Sequence, residues 1–170
     1  LVLTTTGAQK AVEIAGRTGG QLVALAQRDS ASPRDLQTVG TFATIAEQVT
    51  LDDGTLRVEL DGHRRGRSVT LVGLEAMVAE VEPLEEGDPG DEWGAAVEAL
   101  ARYLHAHPDL RSFLDQQRRS QEPMAWVNLA CQHLPITVTA RQKLLECGAA
   151  ERCLKISRGL DALLRKQQGA

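Results

Sequence analysis

The sequence predicts an α+β fold, a β-rich N-terminal half followed by an all-α helical bundle. Three observations carry this. Leu56, Val58 and Leu60 alternate with Arg57 and Glu59 directly after Asp53-Gly54, the period of a half-buried strand behind a tight turn. Trp93, Val97, Leu100 and Leu104 fall at i, i+4, i+7 and i+11, one face of a helix. Between the two lies an acidic stretch in which Glu82, Glu85, Glu86, Asp88 and Asp91 crowd around Pro83, Gly87, Pro89 and Gly90. Charge repulsion and chain breakers oppose regular structure there. The expected division is a β domain over residues 1–84, a linker over 85–91 and a helical subdomain over 92–170.

In the first half, Ala8, Ala11, Val12 and Ala15 recur at helical spacing, with Thr6 as the expected cap and Gly19-Gly20 as the break. Residues 22–26 are a short apolar run, expected as a buried strand, and 29–34 form a loop by composition. Residues 39–51 are rich in Val, Thr and Ile and lead through Asp53-Gly54 into the alternating strand. Asp61-Gly62 predicts a second turn, and 69–72 and 76–81 predict two more strands. In the second half the first helix stops before Pro108, and Leu110, Phe113 and Leu114 open another. Pro123 suits the first turn of a third helix that Pro135 ends. Thr139 with Gln142 has capping-box spacing, Gly148 interrupts, and Cys153, Ile156, Leu160 and Leu163 mark a last helix.

Composition narrows the function. At 170 residues the chain can bury about 70% of its unfolded surface, enough for one sizeable core or two small ones. The net charge of −4 and an aromatic content of 3% weigh against a nucleic-acid partner, which wants basic excess and stacking platforms. The basic cluster His63-Arg64-Arg65-Gly66-Arg67 reads most simply as a solvated turn. No apolar run reaches the roughly 20 residues that cross a bilayer. Cys131, Cys147 and Cys153 are odd in number and lack framework spacing, which fits a reducing cytoplasm.

Catalytic motifs are missing. There is neither GxxxxGK[ST] nor GxSxG. Lys155 and Ser157 stand two apart on a helix and so diverge, which opposes a Ser–Lys dyad. Cys131 and His133 diverge for the same reason, and zinc-type pairs are absent, so buried structural thiols are expected and no metal or cofactor. His105 and His107 near a helix end are accounted for by the helix dipole.

Three stretches, in order, resemble the N-terminal domain of Lon-type ATP-dependent proteases. The first has Val39, Gly40, Thr41, Ala43 and Ile45 in a VGTxAxI strand, the Asp53-Gly54 turn, then Gly62 and Arg65 as a G-x-x-R element. The second has Leu134-Pro135, then Gln142, Leu144, Leu145 and Glu146, then Glu151-Arg152. The third is AVEIAG at 11–16 followed by QLVALAQRD at 21–29. The family's opening strand, of the type LPLRDVVVFP, is represented only by residues 1–3, and its ATPase and Ser–Lys protease domains match nothing here. The sequence therefore looks like a piece of a larger protein.

The resemblance implies a PUA-like β domain, barrel or sheet, with a helical subdomain. It implies a non-catalytic role in recognising unfolded or tagged proteins and in self-association within a hexameric protease. PUA-like folds can also bind RNA, but charge, aromatic content, cysteines and apolar run length give the expectation of a cytoplasmic protein without nucleic-acid or membrane partners. A free-standing adaptor or ligand-binding protein with this fold is the alternative. For substrate binding, open sheet edges are expected to accept an extended peptide, with Lys10 and Glu13 of the first helix flanking the groove.

Overall fold

The computed structural model describes residues 1–170 except 4, 29–31, 33–34, 74–75, 118–122 and 169–170. The chain forms two compact units, Leu1–Glu85 and Glu86–Ala170.

The first unit is one open antiparallel sheet with a helix. Its elements are β1 (Val2–Leu3), α1 (Thr6–Arg17), β2 (Gln21–Ala24), β3 (Val39–Thr50), β4 (Leu56–Val72) and β5 (Val78–Pro83). Helix α1 is capped by Thr5, whose hydroxyl accepts from the Ala8 N–H at 3.4 Å, one residue earlier than the composition indicates. The strands run in the order β1-β4-β3-β2, and β5 also pairs with β4. β3 pairs along its whole length with the first part of β4, from Val39↔Arg67 to Thr50↔Leu56. β1 pairs at Leu56 and Arg57 and β5 from Gly66 onward, both on the β4 edge away from β3. Among the described residues the path does not close into a barrel.

The predicted turn at Asp61-Gly62 is not there. β4 passes straight through it, with Gly62 paired to Ala43 and Asp61 to Thr44. The irregularity is a bulge instead, because Arg64 pairs with Phe42 while Gly62 pairs with Ala43, leaving His63 as the extra residue. A Gly in a strand interior marks a bulge as readily as a turn, and the long β3 partner decides for the bulge here. The Asp53-Gly54 turn does form. Gly54 has φ +80°, its N–H donates to Leu51 O at 2.9 Å, and Thr55 N–H donates to the Asp53 carboxylate at 2.8 Å. Among the described residues, Val12, Ala15, Val39, Ala43 and Val58 are the buried apolar ones of this unit.

The second unit is helical: α2 (Glu92–His105), α3 (Pro108–Gln117), α4 (Pro123–His133), α5 (Val138–Glu146) and α6 (Ala149–Gln168). α2 lies along α6. Leu100, Tyr103, Leu114, Val127, Ile156 and Leu160 form its core together with small residues such as Ala99 and Ala130. Each large side chain buried this way contributes about 1.5–3 kcal/mol. Prolines open α3 and α4, where their missing N–H leaves no intrahelical bond unmade. The cap of α5 is Thr137, whose hydroxyl accepts from the Ala140 N–H at 3.2 Å, and not Thr139. Gln142 is buried and donates forward to Glu146 Oε1 at 3.0 Å.

Gly159 lies inside α6, exposed, and a Cβ there would meet nothing within 4 Å. Gly159→Ala should therefore stabilise the helical unit by about 0.5–1 kcal/mol, because only backbone entropy changes. A guanidinium melt followed by Trp93 and Trp126 fluorescence checks this; an unchanged midpoint contradicts it.

Candidate functional site

The outer face of α1 carries both residues expected to flank a groove. Lys10 Nζ lies 3.4 Å from Glu13 Oε2, and Arg17 donates to Glu13 Oε1 at 2.6 Å. These side chains are 42%, 44% and 75% exposed for Lys10, Glu13 and Arg17. The arrangement is a charge ladder at i, i+3 and i+4, of a kind contributing at most about 1 kcal/mol. Lys10 and Glu13 are thus brought together with each other and with Arg17, and Ile14 beside them is a large apolar residue left exposed.

The apolar surface that stands out lies elsewhere in this unit. At the end of the β4–β5 hairpin, Val69, Val72 and Val78 are 53%, 58% and 60% exposed. Val72 and Val78 are cross-strand partners, and Val69 sits where the register shifts between Ser68 and Thr70. An exposed row of β-branched residues at a hairpin end has no role in the unit's own core and suits apolar contact with another chain. The sequence holds its signal in the run Val69, Leu71, Val72 and Val78, which expects strands without saying which side chains stay outside.

The basic cluster reads differently in three dimensions. It lies within β4 and is no turn. His63 Nε2 shares a 2.6 Å hydrogen bond with Thr44 Oγ1, and the Arg64 guanidinium stacks 5.0 Å over the Phe42 ring. Arg65 is buried at 6% exposure and donates to Glu85 O at 2.8 Å, while Leu84 N–H donates back to Arg65 O at 3.0 Å. Two of the three arginines are therefore engaged in packing the sheet, which leaves no concentrated phosphate-type patch there.

In the helical unit the polar centre is Arg152. Its guanidinium is bonded to Glu86, Asn128 and the carbonyls of Leu144 and Cys147. Glu86, from the acidic stretch, also accepts from the Ala149 N–H at 2.8 Å. The cysteines are free, with Cys147 and Cys153 buried. Burial pushes the Cys131 thiol up to about 12 and raises that of Cys153 as well. No group of metal-ligating side chains occurs among the described residues. His107 donates from Nδ1 to Tyr103 O at 2.8 Å and stacks on the Tyr103 ring at 4.2 Å, a packing role. An open depression on α3 is lined by Pro108, Arg111, Ser112, Asp115 and Gln116, too polar to favour an apolar segment. No helix among the described residues is long and apolar enough to cross a membrane.

Comparisons with known proteins agree with this architecture. Residues 1–160 match the family model of the ATP-dependent protease La (LON) substrate-binding domain. The chain is 32% identical to Lon protease 1 of Thermus thermophilus over 95% of its own length and 23% of that protein's. It is 31% identical to Lon protease 2 of Desulfotalea psychrophila over 63% of its length and 15% of that protein's. It thus spans less than a quarter of these relatives. The N-terminal domain of Mycobacterium avium complex Lon protease superposes with a TM-score of 0.74, covering 95% of this chain and 90% of that one at 20% identity. The Lon N-terminal domain protein from Xanthomonas campestris gives 0.63, covering 91% and 84% at 23% identity. The two structures share the fold, and the family match extends over nearly the whole sequence: the chain belongs to the family of substrate-binding domains of ATP-dependent protease La (LON).

Proposed function

We propose that this chain is the non-catalytic substrate-recognition domain of a cytoplasmic Lon-like ATP-dependent protease, binding unfolded or degron-bearing proteins for degradation. The observation that carries the reading is the family match over residues 1–160. In this reading the β unit is a PUA-like domain that presents its surface to substrate, and the valines at the β4–β5 hairpin end supply apolar contact. Lys10 and Glu13 border a second contact on α1. Three half-exposed valines make a weak site, so affinity comes from several copies held together in a hexamer, where the second contact becomes intramolecular.

The test is a titration of the chain, alone and fused to a hexameric scaffold, with a carboxymethylated, permanently unfolded protein. Weak binding alone and binding about 10²–10⁴-fold tighter on the scaffold are expected. Replacing Val69, Val72 and Val78 together by Ser should weaken binding about tenfold, some 1.4 kcal/mol. No binding in either form would sink the reading. Unchanged binding by the triple variant would leave recognition standing and remove the hairpin from it.

A further inference from the structure

Cys147 ends α5 at the corner where α6 begins. Its N–H donates to Leu144 O at 3.3 Å and its carbonyl accepts from Arg152 Nη2 at 2.8 Å, so the backbone is fixed on both sides. The Sγ donates to Lys143 O at 2.9 Å and accepts from Lys155 Nζ at 3.0 Å. Lys155, in α6, has a side chain 45% exposed, and its ammonium also lies 2.9 Å from Glu151 Oε1. The sulfur and the amine thus stand within the roughly 3–3.5 Å that a near-attack geometry requires.

We infer that Cys147 and Lys155 form an oxidation-responsive pair, in which hydrogen peroxide converts the thiol to a sulfenic acid and the lysine amine captures it as a sulfenamide cross-link. In the first step Sγ attacks a peroxide oxygen. The S–O bond forms, the O–O bond breaks, and the thiol proton leaves with the departing hydroxide as water. Sulfur gives up two electrons and the peroxide takes them. In the second step the Lys155 ammonium, which its bonds to Cys147 and Glu151 hold charged above the usual lysine range, gives up its proton to hydroxide from alkaline solvent, and the freed lone pair attacks sulfur. The S–N bond forms, the S–O bond breaks, and hydroxide leaves with one amine proton as a second water. One thiol, one amine and one peroxide become one S–N bond and two waters, chemistry of the kind sulfenic acids undergo with a neighbouring nitrogen.

The placement is selective. Cys147 Sγ has the Lys155 amine at 3.0 Å, whereas Cys153 Sγ faces Met124 Sδ at 3.7 Å. The cross-link closes a ring from the end of α5 to the second turn of α6 around Arg152, and a dithiol reductant opens it again.

Peptide mapping of the peroxide-treated chain tests this, with the buffer stepped upward in pH because the bonds to Cys147 and Glu151 keep the amine charged, so that the joined species should grow with pH. Trypsin does not cut at a modified Lys155, so residues 144–152 should appear joined to residues 153–158, about 2 Da below their sum, and dithiothreitol should separate them. Cys147→Ser and Lys155→Arg should each abolish the joined species. Lys155→Arg keeps a cation beside Glu151 and should leave Cys147 as a sulfenic acid, about 16 Da heavier and trapped by dimedone. In denaturant the link should not form. The inference is overturned by a Cys147 that stays reduced under peroxide, by one that accumulates as sulfenic or sulfinic acid in the parent chain, or by one that pairs with Cys153 instead.

Discussion

Arg152→Ala should destabilise the helical unit by about 3–5 kcal/mol, the range for removing one partner of a buried, hydrogen-bonded ion pair. Arg152 is 3% exposed. Its Nε donates to Leu144 O at 2.9 Å, Nη1 to Asn128 Oδ1 at 2.6 Å and Nη2 to Cys147 O at 2.8 Å, and both terminal nitrogens face the Glu86 carboxylate. One side chain thereby ties the Glu86 segment, α4 and the end of α5 to α6. Truncation removes one donor from each of the four acceptors; Leu144 O keeps the Cys147 N–H, and a buried group left with no donor costs about 1–3 kcal/mol. Water recovers part of this at Glu86, whose side chain is 36% exposed, but not at the Cys147 carbonyl, whose bond from Arg152 is buried. Arg152→Lys should recover little, since one ammonium cannot reproduce the guanidinium fork. Trp93 and Trp126 are the chain's two tryptophans and both lie in residues 86–170, so their fluorescence in guanidinium reports this unit. A loss below about 1 kcal/mol would mean that the network contributes no more than an ordinary surface pair.

The importance of Arg152 was legible only through resemblance, as half of a Glu-Arg pair near the end of a family pattern. Nothing in its neighbourhood predicts burial, because its side-chain partners lie at positions 86 and 128, far off in sequence, and its nearer partners are backbone carbonyls. Arg65 is the same case. Inside a run of basic residues it reads as solvated, and the Glu85 carbonyl that buries it lies twenty residues on. Periodicity did better wherever one face of an element is buried. Trp93, Leu100 and Leu104 of the predicted α2 stripe reach the core while Val97 stays half-buried outside it, and the alternation of Leu56, Val58 and Leu60 reappears, because a 3.6 or 2.0 repeat is what packing against one side requires. Local signals failed where a long partner outweighed them. Asp61-Gly62 has turn chemistry, yet β3 pairs straight across it. Thr139 has the right spacing to Gln142, yet Thr137 stands at the chain's actual entry into α5. As for surface contacts, the sequence points to Lys10 and Glu13, which pair with each other, and does not reveal that the three hairpin valines stay exposed. Nor does an eight-residue spacing across a helix break suggest that Lys155 meets Cys147.

Gly40→Ala should cost the β unit about 1–3 kcal/mol, the usual penalty for forcing a methyl group into a filled space. Gly40 is the second residue of β3, beside the β2 pair Ala24↔Thr41. A Cβ there would overlap the Ala24 carbonyl and come within 2.6 Å of Leu25 Cδ2. The leucine methyl can turn away; the carbonyl cannot, because β2 is held along its length by the ladder from Gln21↔Thr44 to Ala24↔Thr41. β2 must therefore move off β3, and loosening should concentrate in those two strands. Gly66 is a useful contrast. A Cβ there would meet Phe42 Cε2 at 2.5 Å and Val81 Cγ1 at 2.6 Å, both side-chain atoms that can shift, so Gly66→Ala should cost less than Gly40→Ala. Hydrogen exchange read by mass spectrometry, on peptides covering residues 21–24 and 39–50, separates the two variants. In Gly40→Ala these amides should exchange faster than in the parent, by about five- to 150-fold where exchange follows opening of the unit. The helical unit should keep its exchange rates, since the core described for it lies within residues 93–164. Parent-like protection in β2 and β3 of Gly40→Ala would mean that the Ala24 carbonyl yields to the methyl after all, and that the close approach of the two backbones there is incidental to the fold.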